Sequence, residues 1–249
     1  MKQHLCRIAL AAAAVTAGAF LSACGLFRTT TDSVFDDAED AIATDRAASD
    51  IESAEFSYQF GDGRTASIRY QAPNRVRIDV LDGDQSAVFC LNGSSGWMYV
   101  RGDVINMTAE DIAEMHASLL QAIPFNVNFQ DIFANAELQE KTEDACGEEC
   151  YVIHGNFRRE PKFPVKLWFG KSSDLLRQFE VERDDGKQTI QYFDYREFGD
   201  SDVTLPVRMF KFSDEGAFKI TLNSFEANVD IPDYVFRKPE KLSALEGDK

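Results

Sequence analysis

Residues 65–100 read TASIRYQAPNRVRIDVLDGDQSAVFCLNGSSGWMYV, and their pattern predicts a series of short β-strands. Apolar and polar residues alternate around Ile68 and again around Ile78. Turn-forming clusters at Leu81–Asp84 and Asn92–Gly96 separate the later segments. Strands that are joined by tight turns lie antiparallel to one another, so this stretch predicts a meander within an antiparallel sheet.

The same pattern continues on both sides of this stretch. Upstream, Phe56, Tyr58 and Phe60 alternate with polar residues. Downstream, six further segments have the composition of strands, namely 150–157, 165–169, 176–182, 189–198, 207–212 and 218–225. The chain therefore predicts one large, curved, mostly antiparallel sheet with a few helices.

Three segments predict helices. The first covers residues 32–49, where apolar residues recur at helical spacing and Asp32 or Ser33 can serve as the N-cap. The second begins at Thr108 with a capping-box pattern. The third is shorter and covers residues 128–134.

The N-terminal 24 residues look like a bacterial lipoprotein signal. A short basic start precedes an alanine-rich apolar run, and Leu21-Ser22-Ala23-Cys24 places a cysteine directly after a small residue. The resemblance implies cleavage before Cys24, acylation of that residue, and attachment to a membrane through its lipid. The alternative is an ordinary signal peptide with a cysteine at the cleavage site by chance. Gly25, which follows Cys24, is compatible with the outer membrane under the proteobacterial sorting rule.

The predicted layout has four parts. They are a signal peptide (1–23), a lipidated tether (24–31), one domain (32–237) and a polar tail (238–249). A hydrophobic content of 44% and 20 Phe suffice for a core in a chain of this length. The net charge of −16 argues against nucleic acid and against direct binding to anionic lipid headgroups as partners. It does not argue against acyl chains bound inside the domain.

Three cysteines remain after Cys24. Cys146 and Cys150 flank a short polar turn, and in an oxidising compartment they predict a disulfide. A zinc site is the alternative, with His154 as the nearest additional ligand. Cys90 lies in an apolar segment and is interpreted as a buried small hydrophobic residue.

The order of these segments resembles the superfamily of LolA, LolB and RseB, which includes outer-membrane lipoprotein-sorting proteins. The resemblance covers about residues 33–236. The matching pieces are Phe56-Ser57-Tyr58, residues 70–77, Leu91-Asn92-Gly93 with Gly96-Trp97-Met98-Tyr99, the helix at Thr108, residues 166–169 and 176–180, Val203-Thr204-Leu205-Pro206, and residues 227–236.

The resemblance implies an α+β, mainly β fold, in which a single large curved antiparallel sheet forms an unclosed half-barrel and helices cover its apolar concave face. It also implies binding of lipid or lipoprotein acyl chains, together with a transport partner protein. Two features depart from LolA. Ala72 stands where LolA has a basic residue before its proline, and Cys24 is predicted to be lipidated. The nearer analogy is the anchored acceptor LolB, and the alternative is an RseB-like sensor or assembly factor that binds a protein partner.

Two sets of apolar residues are predicted to hold the acyl chain. The cavity wall comprises Tyr58, Ile68, Tyr70, Val76, Ile78, Val88, Trp97, Tyr99, Leu167, Phe169, Phe179 and Val181. The lid comprises Ile112, Met115, Leu119, Leu120, Phe125, Phe129 and Phe133. The alternative interpretation is that both sets form an ordinary packed core, and an error of one residue in register would move a wall residue to the other face of the sheet.

The residues do not predict an enzyme, a cofactor or a metal site. After the signal segment, only His116 and His154 could act as imidazole bases. The serines of Gly93-Ser94-Ser95-Gly96 lack the Gly-x-Ser-x-Gly pattern and form a hairpin loop. No glycine-rich phosphate-binding loop is present in the sequence.

Overall fold

A computed structural model describes residues 29–112, 115, 128–158, 162–184, 186–198, 201–214 and 216–239. The predicted signal peptide and Cys24 lie outside these residues. The described helices are α1 (Thr31–Ile42), α2 (Asp45–Ser49) and α3 (Phe129–Ile132), with a 3₁₀ helix at Asp233–Phe236. The described strands are β1 (Ser53–Phe60), β2 (Thr65–Gln71), β3 (Arg75–Asp82), β4 (Gln85–Asn92), β5 (Ser95–Val100), β6 (Asp103–Asn106), β7 (Phe133–Leu138), β8 (Glu143–Ala145), β9 (Glu148–Phe157), β10 (Pro164–Gly170), β11 (Leu176–Arg183), β12 (Gly186–Phe198), β13 (Val203–Ser213) and β14 (Gly216–Ala227).

All fourteen described strands belong to one antiparallel sheet. Its strand order is β6-β5-β4-β3-β2-β1-β14-β13-β12-β11-β10-β9-β7, with β8 beside β9. Within the described residues, the end strands β6 and β7 do not pair, so the sheet is not closed into a barrel. The predicted fold class is confirmed. No described helix is long and apolar enough to cross a membrane.

The sheet has an inner face, which packs on the helices, and an opposite outer face. Successive side chains of a strand point to opposite faces, so alternate residues along parts of β1, β2 and β10–β13 enter one main core on the inner face, where Leu222 and Phe225 of β14 join them. Helix α1 covers this core with its apolar stripe Val34, Phe35, Ala38 and Ile42. The Phe35 ring contacts the rings of Phe129, Phe133 and Phe169, at centroid distances of 5.4, 6.3 and 5.8 Å.

The first predicted helix differs from the observed one at both ends. Thr30, not Asp32 or Ser33, is the N-cap of α1, because its hydroxyl accepts a hydrogen bond from the Ser33 backbone N–H. The helix ends at Ala43, whose extended backbone forms a β-bridge with Val203. Pairing with the sheet therefore divides the predicted helix into α1 and α2.

The second predicted helix begins as its capping pattern indicates. The Thr108 hydroxyl accepts from the backbone N–H of Asp111, and the Asp111 carboxylate accepts from the Thr108 N–H in return. Residues 109–112 are helical. The reciprocal cap is therefore confirmed.

Glu148 connects β9 to the turn between β10 and β11. Its carboxylate accepts hydrogen bonds from the backbone N–H and hydroxyl groups of Ser172 and Ser173, and from Arg177 Nε at 2.6 Å. Partial burial works to raise the pKa of Glu148, but these hydrogen bonds outweigh it and lower the pKa to about 2. Gly170 makes room for this carboxylate, since a Cβ at this position would overlap Glu148 Cδ.

We expect Phe35→Ala to destabilise the protein by about 3–5 kcal/mol, because it empties the space between three other aromatic rings. Urea unfolding followed by circular dichroism measures the change. Phe212→Ala is the matched control, because Phe212 is 39% exposed and should cost less than about 1 kcal/mol. Equal losses from both variants would contradict the central position of Phe35.

We expect Glu148→Gln to lower the free energy of unfolding by about 2 kcal/mol at pH 7. The native pKa of Glu148 lies below its unfolded value, so its stabilisation is complete above about pH 5 and disappears as the pH falls towards 2. Urea titrations of both proteins from pH 7 to about pH 3 should therefore show a shrinking difference. Glu226→Gln, at an exposed position of β14, is the control and should change the free energy of unfolding by less than about 0.5 kcal/mol at pH 7.

Candidate functional site

The structure divides the predicted wall residues between the two faces of the sheet. Eight of them are buried together in the main core, namely Tyr58, Ile68, Tyr70, Val76, Leu167, Phe169, Phe179 and Val181. Ile78 packs against this core and is half-buried. Burial raises the pKa of the Tyr58 hydroxyl, which stays neutral among these residues. The eight buried residues fill the inner face with their own side chains.

Val88, Trp97 and Tyr99 lie on the outer face instead. Cys90 pairs with Trp97, and Val88 with Tyr99, whereas Leu91, the residue after Cys90, belongs to the main core. The outer-face residues form a second cluster with Ile231 and Phe236. The apolar segment 87–91 is buried from both sides, so alternation alone could not show which of its residues faces inward.

Residues 228–239, here called the C-terminal strap, cover this second cluster. The Phe236 carbonyl accepts hydrogen bonds from Trp97 Nε1 at 3.2 Å and from the Cys90 thiol at 3.4 Å. Arg77 donates to the Val235 carbonyl, and Arg75 forms an ion pair with Asp233 at 2.6 Å. Trp97 therefore holds the strap, and burial raises the pKa of Cys90 to about 12.

The predicted lid is only partly described. Met115, Phe129 and Phe133 are buried in the main core, and Ile112 packs against it. Leu119, Leu120 and Phe125 lie outside the described residues. The short helix α3, capped by the Asn128 side chain, positions Phe129 against α1, and the Phe129 backbone N–H donates to the Glu39 carboxylate.

The inner face of β3–β5 is well covered at one end. There, Val76 and Leu91 are buried side by side, and Gly96 is next to Leu91 in the register. Met107 lies directly over Gly96, since a Cβ on this glycine would come within 2.6 Å of Met107 Sδ. Met107 can approach the strand this closely because Gly96 has no side chain.

The same face is less covered towards the other end of these strands. The next two rows of inner-face residues are only half-buried, namely Ile78, Phe89 and Met98, then Val80, Ala87 and Val100. A cavity of about 700 Å³ lies at this end. Its apolar lining includes Val80, Ala87, Phe89 and Val100. Tyr99, whose side chain packs with the outer-face cluster, is the one predicted wall residue that borders this cavity.

Charged and polar residues surround the mouth of this cavity, with Asp82, Asp84, Gln85, Ser86, Arg64 and Arg101 among its lining residues. Arg64 is held in place by Asp62, with Nη2–Oδ2 and Nε–Oδ2 distances of 2.7 and 2.8 Å. Its guanidinium also lies over the rings of Phe60 and Phe218, at 5.2 and 5.9 Å from their centroids. The site therefore combines an apolar floor with a polar rim that carries charges of both signs.

The polar rim was not predicted from the sequence. Asp82 and Asp84 were identified as turn residues, and nothing local to them indicates that Arg64 and Arg101 come from two other turns to the same mouth. The sequence signal that could have located the site is the position of the apolar residues along the strands. Val80 and Val100 are inner-face apolar residues close to the turns, where less of the rest of the protein is available to cover them.

A second depression, of about 390 Å³, lies over β7, β9, β10 and β11, and its lining residues include Glu137, His154, Lys166 and Glu180. Lys166 is paired with Glu143 at 2.9 Å. Among the described residues, no group of three His, Cys, Asp or Glu side chains is arranged to hold a metal ion. The zinc alternative for Cys146, Cys150 and His154 therefore has no support in this part of the chain.

Cys146 and Cys150 are free thiols in the structure, and their disulfide stays a prediction. Cys146 occupies the turn between β8 and β9 with φ of +52°, and its thiol donates to the Arg177 carbonyl at 3.2 Å. Cys150 is buried beside Trp168. Burial raises the pKa of both thiols, that of Cys150 to about 11, so both are protonated at neutral pH.

No family model matches the chain, and no curated protein matches its sequence. Solved structures do match. A LolA superfamily protein from Nitrosomonas europaea superposes with a TM-score of 0.58 at 14% identity, covering 85% of this chain and 99% of that one. A DUF1329 family protein from Desulfovibrio piger gives 0.57 at 12% identity, covering 82% and 96%. A domain from Vibrio parahaemolyticus named for outer-membrane lipoprotein sorting gives 0.54 at 11% identity, covering 84% and 97%. The chain has the fold of these proteins, as the resemblance implied.

We expect Trp97→Phe to loosen the C-terminal strap, because it removes the indole donor to the Phe236 carbonyl and costs about 1 kcal/mol. Limited proteolysis followed by mass spectrometry should show faster cleavage within residues 228–239. Trp168→Phe is the matched control, since its indole donates to Glu143 and does not touch the strap. Unchanged strap cleavage in Trp97→Phe, or equal acceleration in both variants, would contradict the role of Trp97.

Proposed function

We propose that this protein is a lipid-anchored carrier or acceptor of the bacterial envelope, which binds the acyl chains of lipoproteins or lipids in an apolar cavity. Binding, rather than catalysis, is the proposed activity. The cavity at the open end of β3–β5 is the proposed acyl site, and the inner-face residues Val80, Ala87, Phe89 and Val100 form its floor.

One observation carries this proposal: the apolar inner face continues from the buried core into a half-buried stretch, which packs against the core on one side and borders the cavity on the other. Val80 and Phe89 follow the alternation of the buried residues Val76 and Leu91, yet they are only half-buried. A sheet that needed only a core would have polar residues at such positions. The cavity volume of about 700 Å³ falls within the range of small-molecule sites, about 300–1,000 Å³.

The energetics of such a floor suit an acyl chain. Each methylene that leaves water contributes about 0.8 kcal/mol, so about ten buried methylenes supply roughly 8 kcal/mol. That free energy corresponds to a dissociation constant of about 1 μM without any hydrogen bond to the chain. The half-covered floor therefore suffices as a binding surface.

The envelope location and the anchor rest on the N-terminal sequence. The run Leu21-Ser22-Ala23-Cys24 has the pattern of a lipoprotein signal, and Gly25 is compatible with the outer membrane. The fold shared with a LolA superfamily protein and with a domain named for lipoprotein sorting supports the same class of activity. A transport partner protein is part of the proposal.

The first test is mass spectrometry of an organic extract of the purified chain from residue 25 onward, which retains every described helix and strand. We expect a lipid or fatty acid in stoichiometric amount, or uptake of a fluorescent fatty acid by the emptied protein. A clean extract together with no uptake would overturn the proposal and would favour the RseB-like alternative, in which a protein partner is bound.

Substitutions at two adjacent positions, Val80 and Leu81, test where the fatty acid binds. We expect Val80→Asp to weaken binding of the fluorescent fatty acid about tenfold or more, because it places a carboxylate on the apolar floor. Leu81→Asp is the matched control: Leu81 is 52% exposed, points to the outer face, and should change affinity by less than about twofold. Circular dichroism of both variants checks that they remain folded. If Val80→Asp and the unchanged protein bound the fluorescent fatty acid with equal affinity, its acyl chain would have to bind elsewhere.

A further inference from the structure

We propose that the mouth of the cavity selects amphiphiles whose headgroup carries both a positive and a negative charge, with the alkyl chain on the floor formed by Val80, Ala87, Phe89 and Val100. This inference rests on the proposed function, because it assumes that an alkyl chain occupies the cavity. It adds the chemical class of the cargo.

The argument begins with three exposed charges at the mouth. Asp82 and Asp84 come from the turn between β3 and β4, and Arg101 comes from the turn between β5 and β6. Within the described part of the chain, the side chains of these three residues form no ion pair or hydrogen bond. Charges of both signs are therefore available to a headgroup at one opening.

Arg64 adds a fixed positive group on the β1–β2 side of the mouth. Its contacts with Asp62 and with the Phe60 and Phe218 rings hold the guanidinium in one orientation. A guanidinium presents several N–H donors in a rigid plane and suits the oxygens of a phosphate group. The positive groups thus lie on two turns, and the unpaired carboxylates lie on the turn between β3 and β4.

Charge complementarity then distinguishes the possible headgroups. A purely anionic headgroup gains from the arginines but is repelled by Asp82 and Asp84, and by the net charge of −16 of the whole chain. A purely cationic headgroup gains from the carboxylates but is repelled by Arg101, whereas Asp62 largely offsets the charge of Arg64. A headgroup with both charges, such as a phosphate bearing an ammonium group, can pair its negative group with an arginine and its positive group with a carboxylate.

The test compares four amphiphiles that share a dodecyl chain and differ only in the headgroup. They are dodecylphosphocholine (both charges), dodecyl phosphate (negative), dodecyltrimethylammonium (positive) and dodecylglycerol ether (neutral). Isothermal titration below the micelle concentration measures each affinity for the delipidated chain from residue 25. We expect dodecylphosphocholine to bind about fivefold or more tighter than the neutral ether, since each exposed ion pair contributes a factor of about two to five. The advantage should shrink in high salt.

Variants of the rim assign the effect to individual charges. Arg101→Gln and Asp84→Asn should each reduce the advantage of dodecylphosphocholine by a factor of about two to five and leave the affinity for the neutral ether unchanged. Arg101→Gln should also improve binding of dodecyltrimethylammonium. Arg46→Gln and Asp144→Asn are matched controls at exposed positions away from the cavity, and they should change none of the four affinities.

Each outcome decides between the two proposals. Equal affinities for all four amphiphiles, or tightest binding of a headgroup with a single sign, would overturn the headgroup inference and leave the acyl site intact. An advantage that the rim variants do not reduce would also overturn it. Binding of none of the four would overturn the proposed function itself, and the headgroup inference with it.

Discussion

The inner face of an unclosed sheet must be covered, and the rest of this structure depends on how far that cover reaches. A closed small barrel fills its interior from all sides, whereas a half-barrel needs another element to shield its apolar face. Here α1 supplies the shield, and Phe35 inserts between Phe129, Phe133 and Phe169 to fix α1 on the strands of one half. In the other half, Met107 covers β5 at Gly96, and beyond it the apolar residues become half-exposed. The cavity lies where the cover ends.

Much of this architecture could be predicted from local patterns. Alternation located most of the strands, and the tight turns between them implied antiparallel neighbours. The short strands β6, β7 and β8 were not predicted, because most of their residues are exposed or half-buried and show no clear apolar alternation. Pairing with a neighbouring strand, rather than burial, makes them strands. The division of the first helix at Ala43 also depends on a long-range contact, its bridge with Val203.

The candidate site was less predictable, for two physical reasons. Segment 87–91 is apolar on both faces because the C-terminal strap covers the outer side, so alternation could not assign Val88 and Trp97 to that side. The strap lies more than a hundred residues away in the chain, and no local pattern shows which strands it will cover. The rim charges come together from three separate turns, and only the strand order places those turns at one mouth.

A half-exposed apolar floor is costly to keep, and this cost bears on function. Leaving Val80, Phe89 and Val100 partly in water forgoes stabilisation of about 25 cal/mol for each Å² that stays uncovered. The main core of the same protein is closely packed, with Phe35, Phe56 and Phe169 almost fully buried. The half-exposed floor is therefore not a general feature of how this protein packs. Positions that break the general pattern of a sequence are expected at functional or strained sites. Here they coincide with a cavity of about 700 Å³ and with exposed charges of both signs at its opening, which is the combination that an amphiphile requires.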